Sequence, residues 1–305
     1  MKILVTGGLG VVGAHLVREL RGRGNEVWVC DLPHDHDPQY VRGDVSEYRQ
    51  LERLIAAHGF EYVYHLAAEF GRWNGEDYYE TLWRSNVIGT KNLIRLQEKH
   101  RFRQIFFSSS EVYGDWAGVM DESVMDGHEV RQLNDYALTK WVGEQQVLNS
   151  AAMHGTESVR VRLFNTYGPG EYYSPYRSMI CVFIYRALHD IPYNVYLNHH
   201  RTSTYLTDCV RTLANISERF VPGQVYNIGG TEYHDVKTVS DLILRSLGKN
   251  DSLVTYKEAE AFTTKDKKIE VSRAERELDH QCRVTLAEGI PRTLEWMRRA
   301  YDAGR

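Results

Sequence analysis

The 305-residue chain has four cysteines, seven prolines and no long apolar run. Cys30, Cys181, Cys209 and Cys282 lie far apart with no Cys-x-x-Cys spacing, which excludes a disulfide framework and a thiolate zinc site. Nothing approaches the ~20 apolar residues that span a bilayer. A net charge of -4 excludes a nucleic-acid binder that works by positive charge. Repeats, long linkers and low-complexity tracts are missing as well. Met1-Lys2-Ile3-Leu4-Val5 runs straight into a glycine turn, so the start does not read as a signal peptide, and the expectation is a cytoplasmic enzyme in a reducing compartment. Hydrophobic residues at 42% and charged residues at 26% are those of an ordinary globular protein, long enough for one large domain or two modest ones.

What is present is organised by strand–helix alternation. Ile3–Thr6 is a short β-branched run, the mark of a buried parallel strand. It opens into Gly7-Gly8-Leu9-Gly10-Val11-Val12-Gly13, then an amphipathic helix over 14–23, then a strand over 26–31 ending in Asp31. Strand, glycine turn, helix, and a second strand ending in an acid form a dinucleotide-binding unit. Gly7 permits the tight turn, Gly10 lets the backbone approach a pyrophosphate, and Gly13 lets the helix pack close. Phosphates rest on unpaired N–H groups at the helix start, including those of Val11 and Val12. Asp31, followed by Leu32, accepts from ribose hydroxyls and repels a 2′-phosphate, which selects NAD over NADP.

Further strands are expected at 40–45, 61–66, 104–108 and 159–164, with helices at 48–58, about 76–100 and from 134 onward. The fold class is therefore α/β, a Rossmann-type doubly wound parallel sheet, and ligands collect at the carboxyl ends of its strands. Those ends carry Asp44-Val45, Leu66-Ala67-Ala68, Ser108-Ser109-Ser110-Glu111 and Phe164-Asn165. Asp44 reaches the adenine edge or caps a helix; Asn86, in the long helical region, is a further candidate cofactor-binding residue. Tyr136 and Lys140 stand four apart on one helix face, where the ammonium is expected to lower the phenol pKa and make a base. His34-Asp35-His36-Asp37 reads as a surface loop, because adjacent loop residues rarely converge on one ion; no metal site is expected.

Thr-Gly-Gly-x-Gly-x-x-Gly at 6–13, His-Leu-Ala-Ala at 65–68, Ser-Ser-Ser-Glu-Val-Tyr-Gly at 108–114, Tyr-Ala-Leu-Thr-Lys at 136–140 and Arg-Leu-Phe-Asn-Thr-Tyr-Gly-Pro at 162–169 occur in that order. Together they resemble the extended short-chain dehydrogenases that modify nucleotide-linked sugars, over nearly the whole chain. The resemblance implies a retained NAD, a homodimer, and a nucleotide-sugar substrate. It implies an NAD-binding domain over 1–165 to which 202–230 returns, and a smaller α/β sugar-nucleotide domain from 166–201 and 231–305. It makes Tyr136, aided by Lys140, the base that oxidises a sugar hydroxyl, with Ser109 on the same oxygen. Arg201, seven residues before Asp208, matches the pyrophosphate-binding arginine. The family's second arginine is missing, and Lys265 stands as its candidate replacement.

The reaction turns on Ser109-Ser110-Glu111. Ser110 replaces the acid that many 4,6-dehydratases use to expel a hydroxyl. Glu111, which UDP-galactose epimerases lack, resembles the decarboxylases; its bland alternative is an ion pair with an arginine such as Arg177. Gly170-Glu171 stands where decarboxylases carry arginine, although Arg177 can take a sugar carboxylate instead. The expectation is a C4 epimerase working through a transient 4-ketone. A dehydratase or uronate decarboxylase using Glu111 is the alternative, and a non-catalytic cofactor-sensing protein stands outside the enzymes.

Overall fold

The computed structural model describes residues 1–302. Six strands in chain order, β1 (Lys2–Thr6), β2 (Glu26–Asp31), β3 (Tyr40–Arg42), β4 (Tyr62–His65), β5 (Arg103–Ser109) and β6 (Ser158–Leu163), join Val225–Ile228 in one seven-stranded sheet. Its order is Val225–Ile228, β6, β5, β4, β1, β2, β3, and every pairing is parallel. The winding reverses between β1 and β4, so a crevice opens beyond the carboxyl ends of those two strands. Residues alternate between the two faces as a pleat requires. Ile3 and Val5 enter one apolar cluster with Leu16, Val17 and Leu20 of the first helix, Val11–Gly22. Leu4 enters the opposite cluster with Leu51, Leu54 and Ile55 of the second, Tyr48–His58.

A separate apolar cluster joins Tyr167 to the helices Met179–Leu188, Val236–Leu247 and Leu286–Asp302 and to the strand Tyr193–Tyr196, which pairs with Val254–Lys257. Among the described residues, no helix is long and apolar enough to cross a membrane.

The long helical region expected at about 76–100 is present but segmented. The chain makes short helices at Arg72–Asp77 and Tyr79–Trp83, a π-helical turn at Arg84–Ile88, and a regular helix only from Gly89 to His100. Tyr78, at φ -131°, breaks the first two apart. Apolar periodicity does not reveal such a break, and π turns concentrate where a side chain must be re-aimed. Here that side chain is Asn86. It is buried and clamps the Glu69 backbone on both sides, receiving the N–H at 2.9 Å and donating to the carbonyl at 2.9 Å, while also donating to Thr139 Oγ1 at 3.0 Å.

Candidate active site

A cleft of about 880 Å3 runs along the carboxyl edge of the sheet. At one end lies the glycine turn. Gly7 has φ +71°, and a Cβ there would stand 2.6 Å from Ala67 N. A Cβ on Gly13 would overlap the Gly7 carbonyl oxygen and approach Gly8 Cα to 2.8 Å. The two glycines thus bring β1, the first helix and the Leu66–Ala68 segment into one tight junction. Gly10 caps the helix without a side-chain bond, so the first helical N–H groups face the cleft with no cap. This cradle fits a dinucleotide pyrophosphate. Gly13→Val is expected to fold poorly or to purify without NAD, which absorbance and extraction of the bound nucleotide would report; full NAD content would contradict the packing argument.

Asp31 lines the same end. One carboxylate oxygen accepts from Leu9 N at 2.8 Å and the other from Leu32 N at 2.8 Å. Each oxygen keeps a further lone pair for a ribose hydroxyl. Asp44 lines the cleft too and accepts from Ser46 N at 2.8 Å in a local turn; the helix cap proper is Glu47. Leu32, Val45, Leu66, Ala67, Ala68, Ser108, Phe164 and Asn165 all line it. Asn86 does not: its amide is consumed by Glu69 and Thr139, and Ser85 lines the wall instead. Asn86 therefore braces the wall from behind.

Asn134 caps the helix Asp135–His154 by accepting from Ala137 N at 2.8 Å. This fixes Tyr136 and Lys140 over the ends of β5 and β6. Lys140 Nζ donates to the Phe107 carbonyl at 2.8 Å and sits 5.9 Å from the Tyr136 ring centroid. Burial lowers the Lys140 pKa to about 8. The Tyr136 phenol is pushed up to about 12, first by burial and further by the Glu111 charge, with Ser109 pulling the other way. This corrects the expectation that the lysine lowers the phenol pKa. The ammonium is spent on a backbone carbonyl beneath the ring and does not touch the phenolic oxygen.

Behind them lies a buried ion network. Glu144, one turn after Lys140, takes Arg162 at 3.0 and 2.9 Å, Arg160 at 3.2 Å and the Ser108 hydroxyl at 2.6 Å. It ties the catalytic-face helix to β5 and β6.

Ser109 Oγ accepts from Glu111 N at 3.2 Å and opens a 3-10 turn that aims Ser110 and Glu111 into the cleft. Glu111 is ion-paired, not with Arg177 but with Lys267, a residue the sequence reading passed over. Burial alone would raise the Glu111 pKa; Lys267, with Arg72 and Arg201 beyond it, overcomes this and holds the carboxyl below its usual range. Lys265 is exposed and its side chain stays out of the cleft wall; only its carbonyl serves, accepting from Arg201 at 2.7 Å. No local pattern separates Lys267 from Lys265 or Lys268, because the segment's register is set by its pairing with the His200 backbone. Lys267→Met removes the cation that opposes burial most and is expected to raise the Glu111 carboxyl from its depressed value, with only Arg72 and Arg201 left to oppose burial. A new ionisation in the kcat/KM profile would show it, and an unchanged profile would contradict it.

Arg201 is buried, with Nη1 on the His200 and Lys265 carbonyls at 2.8 and 2.7 Å, and its guanidinium faces the cleft near Glu111 and Glu260. Arg72, also unforeseen, pairs with Glu260 at 2.7 Å. Glu171 lines the wall but is buried, its two oxygens accepting from Ser178 N at 3.0 Å and Ser178 Oγ at 2.7 Å. Arg177 lies 4.5 Å above the Phe70 ring.

A parallel sheet with a switch-point crevice and a glycine-turn cradle defines a dinucleotide-binding α/β protein, with a second compartment of polar and charged groups beside the cradle. The model of the NAD dependent epimerase/dehydratase family matches residues 3–229, and the chain belongs to that family. It uses NAD, and the relatives it resembles are enzymes that act on nucleotide-linked sugars. It is similar to a UDP-N-acetyl-alpha-D-glucosaminuronate decarboxylase of Bacillus cytotoxicus, 27% identical over 97% of this chain and 98% of the relative. It is similar to a dTDP-glucose 4,6-dehydratase of Actinoplanes sp., 27% identical over 98% of both chains. Among solved structures it is similar to the epimerase Mth375 of Methanothermobacter thermautotrophicus, with TM-score 0.90 and 27% identity, covering 99% of this chain and 93% of that one.

Proposed function

We propose that the protein is a nucleotide-sugar epimerase that inverts C4 through a transient 4-ketone. The observation that supports this most is the Glu111–Lys267 pair. A dehydratase must protonate a departing C6 hydroxyl. Ser110 has no proton of suitable acidity, and Glu111 is held as a carboxylate by its lysine. The remaining groups suffice for oxidation and return. Tyr136 removes the C4 hydroxyl proton, Lys140 supplies positive charge beneath it, and Ser109 hydrogen-bonds the oxygen. Bound NAD supplies the hydride acceptor and donor. Gly7, Gly10, Gly13 and Asp31 hold that cofactor, and Arg201 with Lys267 takes the sugar-linked diphosphate.

Incubation with UDP-, GDP-, dTDP- and ADP-sugars followed by NMR tests the reading. The expected products are C4 epimers with the C5 hydrogen retained. A 4-keto-6-deoxy sugar, or released carbon dioxide, would overturn it. The second reading, uronate decarboxylation, is favoured by the name of the Bacillus relative and by Arg177 in the wall.

The two-part domain division (1–165 with 202–230, against 166–201 with 231–305) and a homodimer complete the proposal. Exposed Leu138, Leu148 and Met153 on the Asp135–His154 helix, with Ile88 nearby in sequence to the clamp, offer apolar surface for the second copy. Light scattering giving a single-chain mass at micromolar concentration would remove the dimer.

A further inference from the structure

Four cations line the cleft without a carboxylate partner: Lys140, Arg177, Arg186 and Arg201. Three of them are engaged by the protein itself. Lys140 is on the Phe107 carbonyl; Arg186 donates to the Pro192 carbonyl at 2.8 Å and to Tyr173 Oη at 3.3 Å; Arg201 is on two backbone carbonyls. The Arg177 guanidinium is different. It makes no hydrogen bond and no ion pair with any described residue, and rests only on the face of Phe70. Glu171, on which the arginine charge acts, is turned away onto Ser178 N and Oγ, and burial raises its carboxyl pKa despite those bonds and that charge. A half-buried guanidinium stacked on a ring, with its donor fork open to a cleft, is pre-organised for a planar, bidentate anion.

Arg177 and Arg201 are also distinct points. The charges that act on Arg201 are those of Glu111, Glu260, Arg72 and Asp266, whereas Arg177 acts on Glu171 in its own loop. One diphosphate accounts for Arg201. The segment that carries Phe70 touches both neighbourhoods: a Cβ on Gly71 would stand 3.1 Å from the Tyr176 carbonyl oxygen, next to Arg177, and one on Gly75 3.5 Å from Tyr136 N. Glu111 is paired with Lys267, so it does not meet a second substrate anion as an uncompensated charge.

We infer that the substrate's sugar carries a carboxylate and that Arg177 recognises it: the substrate class is a nucleotide-linked uronic acid. This rests on reading the cleft as a nucleotide-sugar site and adds which sugar enters it. The test is calorimetric titration of the NAD-loaded protein with a nucleotide-linked uronic acid and with the matching neutral hexose carrying the same nucleotide. Wild type is expected to bind the uronate about 10- to 100-fold more tightly. Arg177→Gln is expected to erase that difference while leaving neutral-hexose affinity within about twofold, and Arg177→Lys to restore part of it. Equal losses for both ligands would make Arg177 a diphosphate clamp and overturn the inference, as would wild type preferring the neutral sugar. Product analysis of the same mixtures separates the two claims. A uronate bound through Arg177 but not inverted at C4 removes the epimerase reading alone; inversion confined to neutral sugars removes this inference alone.

Discussion

Tyr136→Phe is expected to lower kcat by about 10²- to 10⁴-fold while bound NAD and nucleotide-sugar affinity stay within about threefold of wild type. The loss falls on turnover because the hydroxyl that disappears acts only when the sugar oxygen gives up its proton. The ionisation state sets a pH signature. In the ligand-free protein the phenol stands at about 12 and Lys140 at about 8. The reactive form needs the phenol ionised and the ammonium charged, a combination rare at every pH. Its population climbs tenfold per pH unit up to about pH 8, where Lys140 gives up its proton, and is level above that. The kcat/KM profile, which reports the free enzyme, is expected to have that shape. A profile already level from pH 6 would mean that the phenol is acidic before substrate arrives, against the geometry described. Loss of affinity with unchanged kcat in Tyr136→Phe would make the phenol a binding group only.

Glu144→Ala is expected to be the most destabilising single change near the site, by about 3–5 kcal/mol, because it leaves Arg162 and Arg160 charged and buried without their partner. Urea or thermal unfolding measures it. A cost below about 1 kcal/mol would mean that water or another acid replaces the carboxylate. The pH sign follows from the same contacts. Burial raises the Glu144 pKa, but Arg162, then Arg160 and Ser108, outweigh it and hold the carboxyl below its ordinary value of 4.5. Its folded-state pKa is depressed, so its stabilisation is present above pH 4.5 and is lost as pH falls through the depressed value. Activity should fall along with stability in Glu144→Ala, since the network ties the helix of Tyr136 and Lys140 to the strands beneath.

Much of this was legible in the sequence where local rules act alone. The glycine turn, Asp31 and the strand alternation specify the cradle because each residue type there has one physical reason to be present, and the sheet carries them to one edge. What was not legible depends on contacts distant in sequence. Lys267 is 156 residues from Glu111 and sits in a segment without periodicity. Asn86 looks like any polar helical residue until the π turn directs it at the Glu69 backbone. The Tyr136–Lys140 spacing showed a shared face, but which atom the ammonium bonds depends on where the Phe107 carbonyl points, and that is a property of the sheet. Arg177 was visible as a cation after the Gly168-Pro169-Gly170 break; that no acid meets it required the fold.

In the proposed reaction C4 of the sugar is oxidised and then reduced again within one site. This is tested most directly by a substrate deuterated at C4 of the sugar, followed by NMR of the products in ordinary water. Both epimers are expected with deuterium still at C4 and none elsewhere, because the hydride returns to the carbon it left. Deuterium found at C6, or a pentose product formed with release of carbon dioxide, would contradict it.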